Sequence, residues 1–112
     1  MTEQTNYTQE YPNLFAELGY APEEITNRTK TIFDAIFCGG DEQRLYRPVE
    51  PDMACFEDTG NHDVRTEGMS YAMMMCVQMD QKAKFDRLWK WAKRYMYLSE
   101  GPNAGYFAWS CG

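Results

Sequence analysis

Thr66-Glu67-Gly68-Met69-Ser70-Tyr71-Ala72-Met73-Met74-Met75-Cys76-Val77-Gln78-Met79 is the stretch on which the reading of the fold turns. Wound as a helix, it places apolar side chains on nearly every face, which predicts a helix over 66–79 buried on most sides. Unbranched methionines fill irregular gaps, so the Met cluster reads as core. A helix of this kind needs neighbours, and the flanking sequence supplies them. Downstream, Phe85, Leu88, Trp89, Ala92, Tyr95 and Met96 recur at helical spacing, while Lys82, Asp86, Lys90, Lys93 and Arg94 fall on the wet side. This predicts a helix from 82 to 98, ended by Gly101-Pro102. Upstream, Pro22 with Glu23 and Glu24 opens a helix whose apolar stripe is Ile25, Ile32, Phe33, Ile36 and Phe37, and Gly39-Gly40 ends it. Proline suits a first helical turn, and acidic residues favour the positive end of the helix dipole. A shorter helix follows Pro12 over 13–18 and stops at Gly19. Residues 1–11 are polar and read as a loose arm.

Between the long helices, residues 41–65 carry Pro48, Pro51, Gly60 and several acidic side chains. These break a helix and predict an irregular connection, with Met53–Phe56 as a short extended segment at most. Structureless connections of that length are often functional. The sequence closes on Tyr106-Phe107-Ala108-Trp109-Ser110-Cys111. If that run is extended, alternation puts Phe107 and Trp109 on one face. The fold class expected is therefore all-α, with irregular loops and at most short strands.

Composition narrows the function. The 112 residues are 44% apolar, 25% charged and 15% aromatic, which is too rich in large apolar side chains for a disordered acidic segment. A net charge of −6 argues against nucleic acid, whose phosphates call for clustered Lys and Arg. No apolar run approaches the ~20 residues that span a bilayer, so no membrane partner is expected. No basic segment followed by an apolar stretch opens the sequence, which makes a cytoplasmic address the default. Cys38, Cys55, Cys76 and Cys111 form no C-x-x-C pair, and His62 is the sole histidine. That spacing offers no zinc framework, and the thiols read as buried or half-buried.

Two features carry possible chemistry. Glu67 stands where a buried helix begins, beside Gly68, which would let a ligand or another backbone come close. Burial against Met and Tyr would raise its pKa, as a general acid requires, whereas the helix N-terminus and Arg65 would lower it. Read by itself, Thr66-Glu67 is also an ordinary helix start with an acidic first turn. Tyr106, Phe107 and Trp109 have the same double reading, as core or as the lining of a groove in which rings stack on sugars. His62 has no Ser or Cys nucleophile in a recognisable setting, so a triad is not expected.

The run Asn61-His62-Asp63-Val64-Arg65-Thr66-Glu67-Gly68-Met69-Ser70-Tyr71-Ala72-Met73-Met74 resembles the signature of glycoside hydrolase family 8. So do Asn13-Leu14-Phe15, Phe85-Asp86-Arg87-Leu88-Trp89-Lys90-Trp91-Ala92 and Gly105-Tyr106-Phe107-Ala108-Trp109-Ser110-Cys111, in the family's order. Within the family, the four motifs are most similar to the branch that releases xylose from the reducing end of xylo-oligosaccharides. Ala72 departs from the pattern, where Gly is expected after Tyr71.

The resemblance implies an (α/α)6 barrel of twelve helices around a cleft, and hydrolysis with inversion at the anomeric carbon. It makes Glu67 the general acid and Trp109 a sugar-stacking platform. Tyr71 and Arg65, which flank the acid in the same run, are expected to contact the xylo-oligosaccharide. No cofactor or metal is implied. The family's base is an Asp far downstream, with no counterpart in this sequence. Twelve helices with their connections need ~240 residues or more. Residues 12–112 are therefore expected to be the N-terminal part of a family 8 catalytic domain, inactive by itself and prone to self-association through uncovered apolar surface. An endo-acting xylanase or glucanase of the same family is the alternative, as is a non-catalytic helical fragment that binds sugar or a partner chain.

Overall fold

The computed structural model describes residues 11–112, so the expected N-terminal arm, Tyr11 apart, lies outside the described residues. The chain divides into two compact units, Met1–Ile32 and Phe33–Gly112.

In the first unit, α1 (Leu14–Glu17) starts as the sequence suggests. Asn13 is its N-cap, with Oδ1 accepting from the backbone N–H of Phe15 at 3.1 Å and of Ala16 at 3.2 Å. Gly19 comes next at φ +101°, a left-handed conformation in which glycine ends a helix without strain. The helix α2 (Pro22–Cys38) begins on its proline, with Glu23 and Glu24 in the first turn. Its early apolar residues, Ile25 and Ile32, line a small open groove with Phe15 and Tyr20.

The second unit begins within α2. Phe33 and Phe37 stack with ring centroids 4.2 Å apart, and Phe37 packs on Tyr46 and Phe56 at 5.2 and 5.4 Å. Gly39 follows the helix at a position that only glycine fits, since a Cβ there would lie 2.5 Å from the carbonyl oxygen of Ala35.

The expectation of an all-α chain fails beyond α2. Four strands, β1 (Tyr46–Val49), β2 (Met53–Asp58), β3 (Asp63–Arg65) and β4 (Ser110–Cys111), form one antiparallel sheet in the order β1-β2-β3-β4. The supposed helix breakers are accommodated by position. Pro48 sits opposite Ala54 on β1, an edge strand, where a missing N–H can face away from the ladder. Pro51 and Gly60 fall in the connections. The first of these turns at Glu50, which takes φ 58°. In β2 the neighbours Met53 and Ala54 are both buried, as is Phe56. That pattern has no strict alternation, so a period-two reading does not reveal a strand.

The helices α3 (Thr66–Gln78) and α4 (Lys82–Tyr95) pack on β2 and on each other. On α3 the buried residues are Met69, Ala72 and Cys76, a single stripe, while Tyr71, Met74 and Val77 are exposed. The expected burial on most sides is thus replaced by burial on one. On α4 the core residues are Leu88, Trp91 and Ala92, continued by Met96, and Trp89 and Tyr95 are exposed. The helix also stops before the expected 98. The returning chain takes over the backbone there, with Ala108 N donating to Met96 O at 2.8 Å, Leu98 N to Tyr106 O at 2.9 Å, and a bridge pairing Tyr97 with Phe107. Regular strand in the closing run is confined to Ser110–Cys111.

Candidate active site

Strand β3 sits between β2 and β4, and its last residue, Arg65, leads directly into α3. Arg65 offers no side-chain cap to that helix. The need is met from β4, where pairing of Val64 with Cys111 and of Arg65 with Ser110 carries Trp109 to the helix N-terminus. The carbonyl of Trp109 accepts from the backbone N–H of Thr66 at 3.0 Å, satisfying one of the donors that every helix start leaves open.

The side chains converge at the same place. The indole Nε1–H of Trp109 donates to Glu67 Oε1 at 3.1 Å and to Oε2 at 3.2 Å. Thr66 Oγ1 donates to Glu67 Oε1 at 3.4 Å. The Arg65 guanidinium carbon lies 4.4 Å from the Trp109 ring centroid, a cation–π contact. Arg65 is held in turn by Asp63, with Nε donating to Oδ1 at 3.1 Å and Nη2 to Oδ2 at 3.3 Å. Asp58 stands further off, Oδ2 to Arg65 Nε 4.0 Å, and accepts from both the backbone and side-chain N–H of Asn61 at 2.9 and 2.8 Å. Tyr71, one helical turn beyond Glu67, is 62% exposed, and Trp109 is 59% exposed. The four residues singled out from the sequence therefore stand at one end of α3. Trp109 is in direct contact with both Glu67 and Arg65, and Tyr71 lies along the helix face.

Electrostatics decides the direction that the sequence left open. Glu67 is exposed, and the burial it does have opposes its charge less than its two strongest hydrogen bonds favour it. Its own backbone N–H, then the Trp109 indole, Thr66 and the Arg65 charge hold its carboxyl below the ordinary glutamate range. Asp63 holds the Arg65 guanidinium above its ordinary value. Glu57 is lowered by hydrogen bonds from His62 and Arg47, the former at 3.4 Å, so the lone histidine turns to a neighbouring carboxylate at the β2–β3 turn.

Of the two reasons suggested for Gly68, close approach of another backbone is not what the chain itself demands. A Cβ there would meet the Phe56 ring at 3.8 Å and its carbonyl at 3.9 Å, ordinary contact distances, so no part of the chain requires the glycine. Asp63 does not match the family's base and is not among the residues the sequence singles out, yet it joins the candidate site through Arg65. Residues two apart on a strand share a face, and Asp63 and Arg65 have that spacing. The signal was hidden because 41–65 read as irregular. Among the described residues, no helix is long and apolar enough to cross a membrane.

Residues 54–112 match the profile of "Glycosyl hydrolases family 8". Over 110 residues the chain is 54% identical to a reducing end xylose-releasing exo-oligoxylanase of Halalkalibacterium halodurans, covering 98% of this chain and 28% of that protein. It is 50% identical over 104 residues to the reducing-end xylose-releasing exo-oligoxylanase of Paenibacillus barcinonensis, covering 93% of this chain and 27% of that one. A crystal structure of a reducing end xylose-releasing exo-oligoxylanase superimposes with a TM-score of 0.90 at 54% identity, over 96% of this chain and 28% of the other. The chain thus spans little more than a quarter of the length of the relatives it matches.

Proposed function

Because the chain belongs to glycosyl hydrolases family 8, we propose that it carries the general-acid part of an active site that hydrolyses short β-1,4-linked xylo-oligosaccharides, releasing xylose from the reducing end. The observation that carries this reading is the pairing of Glu67 with Trp109. An exposed carboxylate, able to give or take a proton, hydrogen-bonds to an exposed indole, whose ring can stack on a sugar. The names of the relatives supply the substrate class.

In this reading Glu67 protonates the glycosidic oxygen as the leaving sugar departs. Trp109 offers a stacking face, Tyr71 extends the contact surface along α3, and Arg65 reaches substrate through the nitrogen that Asp63 does not hold, Nη1. A sugar seated on the site would exclude water from Glu67 and push its pKa upward, against the hydrogen bonds that hold it low in the open chain. Hydrolysis with inversion also needs a second carboxylate, about 6.5–9.5 Å away, to activate water. Asp58 and Asp63 are engaged with Asn61 and Arg65, and neither is assigned that role. The base belongs to the remainder of a family 8 domain, in which α2, α3 and α4 would be helices of an (α/α)6 barrel and the small sheet would position the start of the acid-bearing helix.

A chimera tests the proposal. These 112 residues replace the 110 they match in the Halalkalibacterium enzyme. The chimera should release xylose from xylotriose, and Glu67→Gln should lower the rate by ~10² or more while sugar binding persists. Full activity in the Glu67→Gln chimera would remove Glu67 from its role, and an endo-type product pattern would redirect the reading to a xylanase or glucanase.

A further inference from the structure

We propose that Asp63 is a positioning residue of this site: it holds the Arg65 guanidinium against the Trp109 ring and thereby fixes the indole N–H that carries Glu67. The significance for catalysis rests on the hydrolase reading above, whereas the coupling itself is a property of the chain.

Trp109 needs such a support. Its backbone is fastened by the two-residue strand β4 and by the hydrogen bond to Thr66, but its ring is more than half exposed. An exposed indole is free to change rotamer, and a bond from Nε1 to one carboxylate does not fix the ring plane. The Arg65 guanidinium does, because it lies over the ring with its central carbon 4.4 Å from the centroid and covers one face of the indole. Arg65 is itself a long, flexible side chain. Asp63 takes it in a two-point grip, Nε to Oδ1 at 3.1 Å and Nη2 to Oδ2 at 3.3 Å, which sets orientation as well as position. Both members of the pair are mostly shielded, with side-chain exposures of 24% for Arg65 and 19% for Asp63. Asp58 meets Arg65 at 4.0 Å, an ion pair beyond hydrogen-bond reach that cannot orient the guanidinium, and its Oδ2 is committed to Asn61.

The charge bearing on Glu67 is that of Arg65, which Asp63 on the same strand and Asp58 at the end of β2 face in turn. These charges allow positioning to be separated from simple charge. Deleting the Asp63 anion would, by Coulomb's law alone, make Glu67 easier to ionise and lower its titration midpoint. Loss of the Trp109 hydrogen bond would raise it.

The experiment is an NMR titration of the 112-residue chain, following the Glu67 side-chain carboxyl and the Trp109 indole N–H, the latter assigned through Trp109→Phe and its coupling to Glu67 through Glu67→Gln. In Asp63→Asn the Trp109 resonance should move toward that of a solvated indole, its pH-dependence should fade, and the Glu67 midpoint should rise. Arg65→Lys, which retains the charge and loses the planar fork, should do the same, and it carries the test if Asp63→Asn unfolds. An unchanged indole resonance in both variants, a Glu67 midpoint that falls in Asp63→Asn, or wild-type behaviour of Arg65→Lys would each overturn the proposal. No sugar enters any of these readouts, so an inactive chimera would defeat the hydrolase reading without touching this one.

Discussion

Trp109 gives its single indole proton to both oxygens of Glu67, at 3.1 and 3.2 Å, across 42 positions of sequence. That bond is one of the causes that keep the Glu67 carboxyl below its ordinary range. A carboxyl depressed in the folded state contributes stability that is present above its unfolded value and lost as pH falls through the folded one. Trp109→Phe keeps a ring and removes the proton. The Glu67 midpoint should then rise part of the way toward the ordinary glutamate range, and the acid limb of the chain's pH–stability profile should lose the share that this bond contributes, while the share from the Glu67 backbone N–H stays. Carbon-detected titration of the carboxyl checks both the direction and the assignment.

How far this site was legible depended on range. Glu67 and Arg65 could be read from one short run because they lie in it, and Trp109 because its own motif is distinctive. The hydrogen bond joining them could not, since it depends on β4 pairing with β3. Strands as short as Asp63–Arg65 and Ser110–Cys111 are too brief for any periodicity. The helices were legible because their spacing repeats over several turns, but the buried side of each was not. Met74 and Val77 are as apolar as Met69 and Cys76, and packing partners alone decide which pair is covered.

Alkaline pH should unfold the chain through its core. Burial pushes the Cys76 thiol up to about 11 and also raises Tyr46. A group whose folded value is raised contributes stability that is fully present below its unfolded value and is lost as pH climbs through the folded one. For Cys76 the loss runs between about pH 9 and pH 11, with a limiting slope of about 1.4 kcal/mol per pH unit for one proton. Urea midpoints measured across that interval should fall. In Cys76→Ala, which starts from a lower stability because of the methyl-sized void, the decline should be shallower. A parallel decline in both proteins would place the titrating group elsewhere.

The two tryptophans on α4 give a direct test of which face is buried. The sequence stripe favoured Trp89, but Trp91 is 7% exposed and Trp89 is 43% exposed. Positions 88, 92 and 96 form the centre of the buried stripe, and 89 and 91 flank it on opposite sides. Truncating a buried aromatic costs about 3–5 kcal/mol, through lost burial and the cavity left behind. Trp91→Ala should therefore lower stability by that order and Trp89→Ala by much less. Trp89 makes a tilted contact with Phe107, centroids 5.9 Å apart, and has the Lys93 ammonium over its ring, while much of its surface stays in solvent. Chemical denaturation of the two variants side by side, with equal slopes to confirm a common unfolding transition, decides the matter.

Gly39 and Gly68 make opposite predictions from the same substitution. At position 39 an added Cβ would stand 2.5 Å from the Ala35 carbonyl oxygen, and backbone cannot yield as a flexible side-chain tip can. Gly39→Ala should displace the end of α2, loosen the hydrogen bond from Leu45 N to Ile36 O, now 2.8 Å, and cost about 1–3 kcal/mol. At position 68 the Cβ would meet Phe56 at 3.8 Å, so Gly68→Ala should fold at least as well as the parent. Alanine's higher helix propensity, up to ~1 kcal/mol over glycine in a helix interior, pulls in the stabilising direction. Thermal unfolding distinguishes these outcomes. Because folding makes no demand for the glycine beside Glu67, Gly68→Ala in the chimera then isolates the sugar's demand. A stable chimera with weakened xylotriose turnover would mean that substrate uses the space next to the acid, and undiminished turnover would mean that it does not.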